Sequence, residues 1–451
     1  MRKSTEARTI AALGAPLVVN NLVQVGMQVT DTIMAGQLSA QDLAAVAVGG
    51  AVWMPLSIFG LGVLMALTPT VAQLHGGGHH REIGHWVRQG LWLSLLVAAP
   101  IFALVWNADA IMRTFAVEPS IIPLATGYAR AMAFGLPAMC VYLVLRFFSE
   151  GTSETRPMMY ISMVALPLNV LGNWLFMYGP GAFPELGAVG AGVASAIVMW
   201  AMLGMMLYVV RRRHYRQFEP FAHFEWPQLT PLAQLLWLGV PIGVTIFMEG
   251  SMFGAAALLM GRLGADVVAG HQIALNVASL MFMIPMGFSF AISVRVGQHL
   301  GRGDVAGARE SGMIGIGLCA AVMAGSALAM LLLRGPIAAF YTDDPGVIAV
   351  AVGLISMAAV FQLSDGVQVG AAGVLRGFKD TRASMVLTTI AYWGIGFPLA
   401  YWLGIALGYG PKAVWVGLIA GLSVAAALLF WRFRRISRNY PEGQAPRRSV
   451  Q

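Results

Sequence analysis

Three carboxylates, Asp31, Glu249 and Asp365, lie within long apolar stretches where an ionised group is costly and needs a proton, a partner or a water-filled cavity. None has a basic residue one helical turn away to pair with. Such groups can carry protons, or combine with amide carbonyls as hard oxygen ligands for Na⁺. They can also attract a lipophilic cation into a region of low dielectric. The bland reading of each is a permanently protonated acid in a helix–helix hydrogen bond.

Amides recur at helical spacing around them. Asn20, Gln24, Gln28 and Asp31 share one helix face, Asn169 and Asn173 stand four apart beside Pro167 and Gly172, and Gln272 and Asn276 repeat the pattern next to His271. Gln362, Asp365 and Gln368 follow at three-residue intervals. Each stripe alone is equally well read as interhelical hydrogen bonding, whereas together they suggest a polar cavity. Met248, Met252, Phe253, Met281 and Met283 offer either adaptable apolar walls or ordinary packing. His271 has a side chain able to titrate near neutral pH and so is a candidate for proton coupling. His75, His79 and His80, spaced by glycines in a loop, make a poor metal tract.

The elements that must position these groups are membrane helices. Hydrophobic residues make up 58% of the 451 and charged ones 11%, which excludes an ordinary soluble domain. Apolar runs predict twelve spans at 9–36, 45–73, 85–108, 121–149, 157–178, 187–211, 231–260, 266–297, 307–333, 346–375, 382–408 and 411–435. The first carries no small-residue cleavage pattern and reads as a retained helix rather than a signal peptide. If both termini are cytoplasmic, 21 of the 28 basic residues fall on that side. The net charge of +8 thus reflects topology, and no nucleic-acid partner is needed to explain it. Cys140 and Cys319 both sit in apolar runs and form no disulfide framework. No phosphate-binding loop and no catalytic pattern appears, so neither an ATP-driven pump nor an enzyme is expected.

The second half echoes the first at an offset of 225 or 226 residues. Pro16 pairs with Pro241 and Gly36 with Gly261, "VAQLHGGG" from Val71 with "VGQHLGRG" from Val296, and "EGTSETRPMM" from Glu150 with "RGFKDTRASM" from Arg376. Six spans return the chain to its starting side, so the copies share orientation. The expected organisation is an N-terminal six-helix lobe (1–212), a basic, aromatic linker (213–230), a C-terminal six-helix lobe (231–437) and a tail (438–451). The linker reads as a cytoplasmic connector suited to lying on anionic headgroups.

With "VTDTIMAG", "PLNVLGNW", "FMEGSMF", "AGHQIALN" and "SDGVQVGAAGVLRGFKDT" spread over its whole length, the chain resembles the multidrug and toxic compound extrusion (MATE) exporters of the NorM-like branch. The resemblance implies an all-α membrane protein, twelve helices in two pseudo-symmetric six-helix bundles. It implies antiport of lipophilic cationic drugs and dyes against inward Na⁺ or H⁺, with no other cofactor. It implies cation coupling by Asp31, Glu249 and Asp365, with Glu249 and Asp365 the candidate Na⁺ ligands. Gln28, Asn169, Asn173, Gln272, Asn276 and Gln368 are then expected to line the cavity. A monomer in a bacterial inner membrane is expected. A lipid-linked oligosaccharide flippase, the competing reading, would call for cationic lining, and the clear mid-span charges here are acidic. An intramembrane aspartyl protease would need a Gly-x-Gly-Asp setting that "LSDGVQ" lacks.

Overall fold

The structure, a computed structural model, describes residues 2–181 and 184–440, so most of the expected tail 438–451 lies outside the described residues. Every regular element among them is helical. Eleven helices are long and apolar enough to cross a membrane, and one bent pair supplies the twelfth crossing.

Helix α1 (Arg2–Leu38) is followed by α2 (Ala40–Leu64), α3 (Leu67–Gly76), α4 (His80–Trp106), α5 (Ala108–Thr114), α6 (Ile122–Ala133), α7 (Leu136–Gly151), α8 (Arg156–Tyr178) and α9 (Ala188–Val210). A turn of helix, α10 (Arg213–Arg216), lies in the linker. Then come α11 (Leu229–Gly261), α12 (Ala265–Gly301), α13 (Val305–Tyr341), α14 (Pro345–Gly377), α15 (Thr381–Thr389), α16 (Phe397–Tyr401) and α17 (Pro411–Asn439).

Several helices overrun the expected spans because capped polar ends continue past the apolar run. The Asp304 carboxylate accepts from Gly307 N at 2.7 Å ahead of α13, and Asp344 accepts from Gly346 N at 2.7 Å ahead of α14. The run 121–149 is not one straight rod: α6 and α7 meet at 44°. Pro137, at the start of α7, cannot continue the hydrogen-bond ladder of α6 across Phe134 and Gly135. The run 382–408 holds two stretches of wide π turns, 390–396 and 402–406, flanking Pro398, whose missing N–H and bulky ring disfavour the tighter α turn.

Packing divides the chain into two units. One is Val19–Gly243; the other joins the residues up to Val18 with those from Val244 onward. Division therefore falls inside α1 and α11, two residues beyond the helix-internal prolines Pro16 and Pro241, and not in the linker. The start of α1 is held in the second unit. Glu6 accepts from Arg295 Nε at 2.9 Å, Arg295 Nη2 at 2.8 Å and Ser311 Oγ at 2.5 Å, while Ile10 is buried in a core with Ile292, Val296, Val374 and Phe433.

The sequence repeat is a repeat of contacts. A Cβ on Gly151 would stand 2.7 Å from Val71 Cβ and 3.1 Å from Thr68 O; one on Gly377 would stand 2.8 Å from Val296 Cβ and 3.0 Å from Ser293 O. Both positions need glycine so that two helices can touch backbone to backbone. The turns agree as well: Gly78 has φ +77° and Gly303 +76°, and Ser153 and Lys379 take left-handed φ of 70° and 59°. Each unit thus carries its own copy of two tight connections.

Candidate functional site

In the unit Val19–Gly243, Asp31 is 8% exposed and surrounded by amides. Pro167 sits inside α8, and the turns that follow it bring Asn169 and Asn173 to one face. Asn169 Nδ2 donates to Asp31 Oδ1 at 3.0 Å and Asn173 Nδ2 to the same oxygen at 2.6 Å. Ser195 Oγ of α9 donates to Oδ2 at 3.4 Å, and the buried Tyr128 of α6 lies within electrostatic reach of the carboxylate. The amide oxygens of Asn169 and Asn173 are buried and have no hydrogen-bond partner among the described residues. One carboxylate and two unpartnered amide oxygens form a cluster of hard donors, and rotation of either amide exchanges an N–H facing Asp31 for an oxygen.

The rest of the α1 stripe divides. Asn20 is buried and its Nδ2 contacts Asn21 Oδ1 at 3.4 Å, whereas Gln28 is exposed and stands apart from the Asp31 cluster.

In the other unit, α14 buries Gln362, Asp365 and Gln368 together, and α11 supplies the half-buried Glu249. Glu249 and Asp365 lie within electrostatic reach of each other, and Tyr392, fully buried on the first wide π stretch, lies within reach of both. The Arg376 guanidinium, on α14, acts on Glu249 as well. Asp365 Oδ1 and Gln362 Oε1 are buried with no hydrogen-bond partner among the described residues. Trp393 Nε1 donates to Met248 O at 3.3 Å and so ties the π stretch to α11 one residue before Glu249.

Gln272 and Asn276 are exposed and bonded to each other at 3.3 Å; no hydrogen bond joins them to Glu249 or Asp365. His271 is fully buried, and its Nδ1 accepts from Trp415 Nε1 at 3.2 Å. That bond assigns the ring proton of the neutral imidazole to Nε2. Met252 belongs to the packed core, while Met248, Met281 and Met283 are partly exposed. The His75 and His80 rings stack on each other, and Phe218 meets the first edge-on and the second at a tilt.

Ser195, Tyr128 and Tyr392 escaped the sequence reading, and Arg376 entered it only as the start of a repeated segment and not as a neighbour of Glu249. Ser195 sits in the apolar run "GVASAIV" with no polar neighbour at helical spacing, and Tyr392 in "TIAYWGIG" has only Thr388 and Thr389 one turn before it, neither of them ionisable.

Two carboxylate clusters on a duplicated helical frame narrow the comparison with known proteins. The MatE family model matches residues 16–175 and again 241–402, two copies that begin 225 residues apart. Multidrug resistance protein PmpM of Pseudomonas aeruginosa is 42% identical over 446 residues, covering 98% of this chain and 94% of that protein. Among solved structures, that of the eukaryotic MATE transporter AtDTX14 agrees with a TM-score of 0.85 at 18% identity over 97% of this chain and 98% of the other. A MATE in the straight conformation agrees at 0.88 and 19% identity over 96% of each chain. The double match, at an interval within one residue of that between the paired turns and the paired glycine contacts, together with a full-length relative, makes this chain a member of the MatE family of membrane transporters.

Proposed function

We propose that the chain is a multidrug exporter working by secondary active antiport, moving lipophilic cationic drugs and dyes outward in exchange for inward Na⁺ or H⁺. One observation carries this reading: each unit buries an aspartate, Asp31 or Asp365, that has no ion-pair partner among the described residues and has unpartnered side-chain oxygens beside it. Buried charges are ordinarily paired. A carboxylate left without a fixed cation is suited to an exchangeable one. The name of the relative PmpM, a multidrug resistance protein, supports drugs as the cargo.

In this mechanism the ionised carboxylates attract a lipophilic cation in a region of low dielectric, and Na⁺ or H⁺ arriving at the same or linked groups removes the attraction. Competition yields exchange. The gradient sets its direction, and rocking of lobes 1–212 and 231–437 alternates access. Asp31, Glu249 and Asp365 are the coupling groups, with Asn169, Asn173 and Gln368 lining them; Gln28, Gln272 and Asn276 serve as exposed cavity lining. The protein works as a monomer in the inner membrane with both termini cytoplasmic. The competing flippase reading calls for a cationic lining, whereas Arg376, acting on Glu249, is the single cation beside either cluster among the described residues.

The test is dye efflux from proteoliposomes under separately imposed Na⁺ and proton gradients. Efflux driven by one or both supports antiport; equilibration that neither gradient accelerates overturns it.

A further inference from the structure

Away from the Asp31 cluster, at the ends of the same unit's helices where α4 begins and α9 stops, the linker folds back along α4. Arg88 Nε donates to Glu225 Oε2 at 2.7 Å, and His85 Nδ1 lies 2.6 Å from Glu225 Oε1. The Gln89 side chain donates to Trp226 O at 3.0 Å and accepts from Gln228 N at 2.8 Å; Trp92 Nε1 donates to Glu225 O at 2.8 Å. These bonds occupy the polar groups between linker and helix. The rings are left outside: Phe224 is 69% exposed and Trp226 73%.

Between linker and helices opens a cleft of about 510 Å³, walled by Leu91, Trp92, Leu95, Val141, Leu207 and Phe224. Arg88 and Glu225 also border it, but their charges are spent on each other. Carbon walls of this kind accept an apolar chain. The rim decides which chain.

Arg211 closes α9 one helical turn after the cleft-lining Leu207 and so lies on the same side of that helix end. Arg211 and Arg212 are exposed, and neither has a carboxylate partner among the described residues; Arg212 Cζ lies 5.1 Å over the Tyr208 ring. Two guanidiniums without carboxylate partners, at the end of the helix that carries Leu207 into the cleft wall, would repel a lipophilic cation. A free phosphate would leave the carbon walls unused. A phosphate joined to an acyl chain uses both, because guanidinium grips phosphate oxygens bidentately while the chain leaves water. The cleft residues from Arg88 to Leu95 span roughly 10 Å of helix, the depth of a headgroup and the first part of its chain.

We propose that this cleft is a binding site for an anionic phospholipid of the surrounding membrane, its acyl chain lying along Leu91, Leu95 and Leu207 and its phosphate held by Arg211 and Arg212. The site is separate from the carboxylate clusters and takes a ligand of opposite charge.

The test uses the full chain, purified in detergent and delipidated, with phosphatidylglycerol or phosphatidylcholine of identical acyl chains added and retention read by native mass spectrometry. Retention of phosphatidylglycerol is expected to exceed that of phosphatidylcholine by roughly tenfold, from about fivefold per guanidinium less some screening. Leu95→Trp, which fills the cleft, is expected to cut retention of phosphatidylglycerol several-fold, whereas Leu331→Trp, exposed on α13 of the other unit, leaves it unchanged. The double variant R211A/R212A brings phosphatidylglycerol down to the phosphatidylcholine level. If Leu95→Trp lowers the melting temperature, Phe224→Ala on the exposed linker removes a wall instead and is read in the same assay. Equal retention of the two lipids, or retention untouched by both cleft variants, overturns the proposal. Lipid retention requires no gradient, so this result and the transport result stand apart.

Discussion

Asn173 Nδ2 donates to Asp31 Oδ1 at 2.6 Å, and the amide oxygen at the other end of the same group has no partner. The pair links α8 to α1 through a bond that an ionised aspartate makes best. Asp31→Asn keeps the size and removes the charge, so it is expected to lower gradient-driven dye efflux at least tenfold while the protein still reaches the membrane. Full efflux by the Asn variant, measured in proteoliposomes at matched protein content, would remove Asp31 from the coupling set.

Glu249→Gln and Asp365→Asn test the second cluster in the same way. Each is expected to reduce efflux by tenfold or more with helicity and melting temperature retained, since an amide replaces a carboxylate without changing volume. Full efflux in both variants counts against that cluster.

Tyr392→Phe addresses a residue that only the fold brings to that cluster. Removing the hydroxyl leaves the aromatic packing in place, and efflux is expected to fall several-fold with a shifted pH profile. An unchanged pH profile would reduce Tyr392 to a packing role.

The two glycine contacts make a matched pair. Gly151→Ala and Gly377→Ala each drive a methyl to within 2.7–2.8 Å of a valine Cβ, and each is expected to cost about 1–3 kcal/mol through overpacking. Gly204→Ala has nothing within 4 Å and is expected to be neutral or to stabilise by about 0.5–1 kcal/mol through helix propensity. Thermal melting in detergent ranks the three, and a loss confined to one of the paired sites would break the equivalence of the units.

The linker clamp should respond to acid. Partial burial alone would raise the Glu225 pKa, but hydrogen bonds from Arg88 and His85 outweigh it and hold the carboxyl below its ordinary value of 4.5. A carboxylate depressed on folding contributes stability that is complete above the ordinary value and is lost as pH falls through the depressed one. Hydrogen exchange across 220–228 is therefore expected to stay slow from neutral pH down to about 5 after correction for intrinsic rates, and to quicken in stronger acid. Arg88→Gln, which leaves the His85 contact in place, should weaken that dependence and shift its onset to higher pH.

Much of this was legible in the residue order. Hydropathy located the crossings because a membrane helix must be apolar over a fixed length, and the repeat was visible because its turns need particular residues, such as Gly78 and Gly303, at particular places. The kink at Gly135 was signalled only by Pro137, because hydropathy runs unbroken through Phe134 and Leu136 and so reads the run as one span. Asn169 and Asn173 could be put on one face from spacing alone, but their partner Asp31 lies 138 and 142 residues away, a distance that periodicity does not bridge. Gln272 and Asn276 show the same limit in reverse, since correct spacing placed them on one face without bringing them to a carboxylate. The linker reads as a connector because it is a basic, aromatic break between the two copies, and only the fold reveals what its aromatic residues enclose.

The division inside α1 and α11 bears on how the protein is made. Ribosomes deliver residues in chain order, yet the described residues up to Val18 belong to the unit whose remainder follows Gly243. The opening segment, with Glu6 and Ile10, must wait for Arg295, Ser311 and Phe433 to emerge before its contacts exist. Val19–Gly243 becomes complete only when the first turns of α11 have left the translocon. A nascent chain halted at the linker is thus an unfinished assembly at both of its ends.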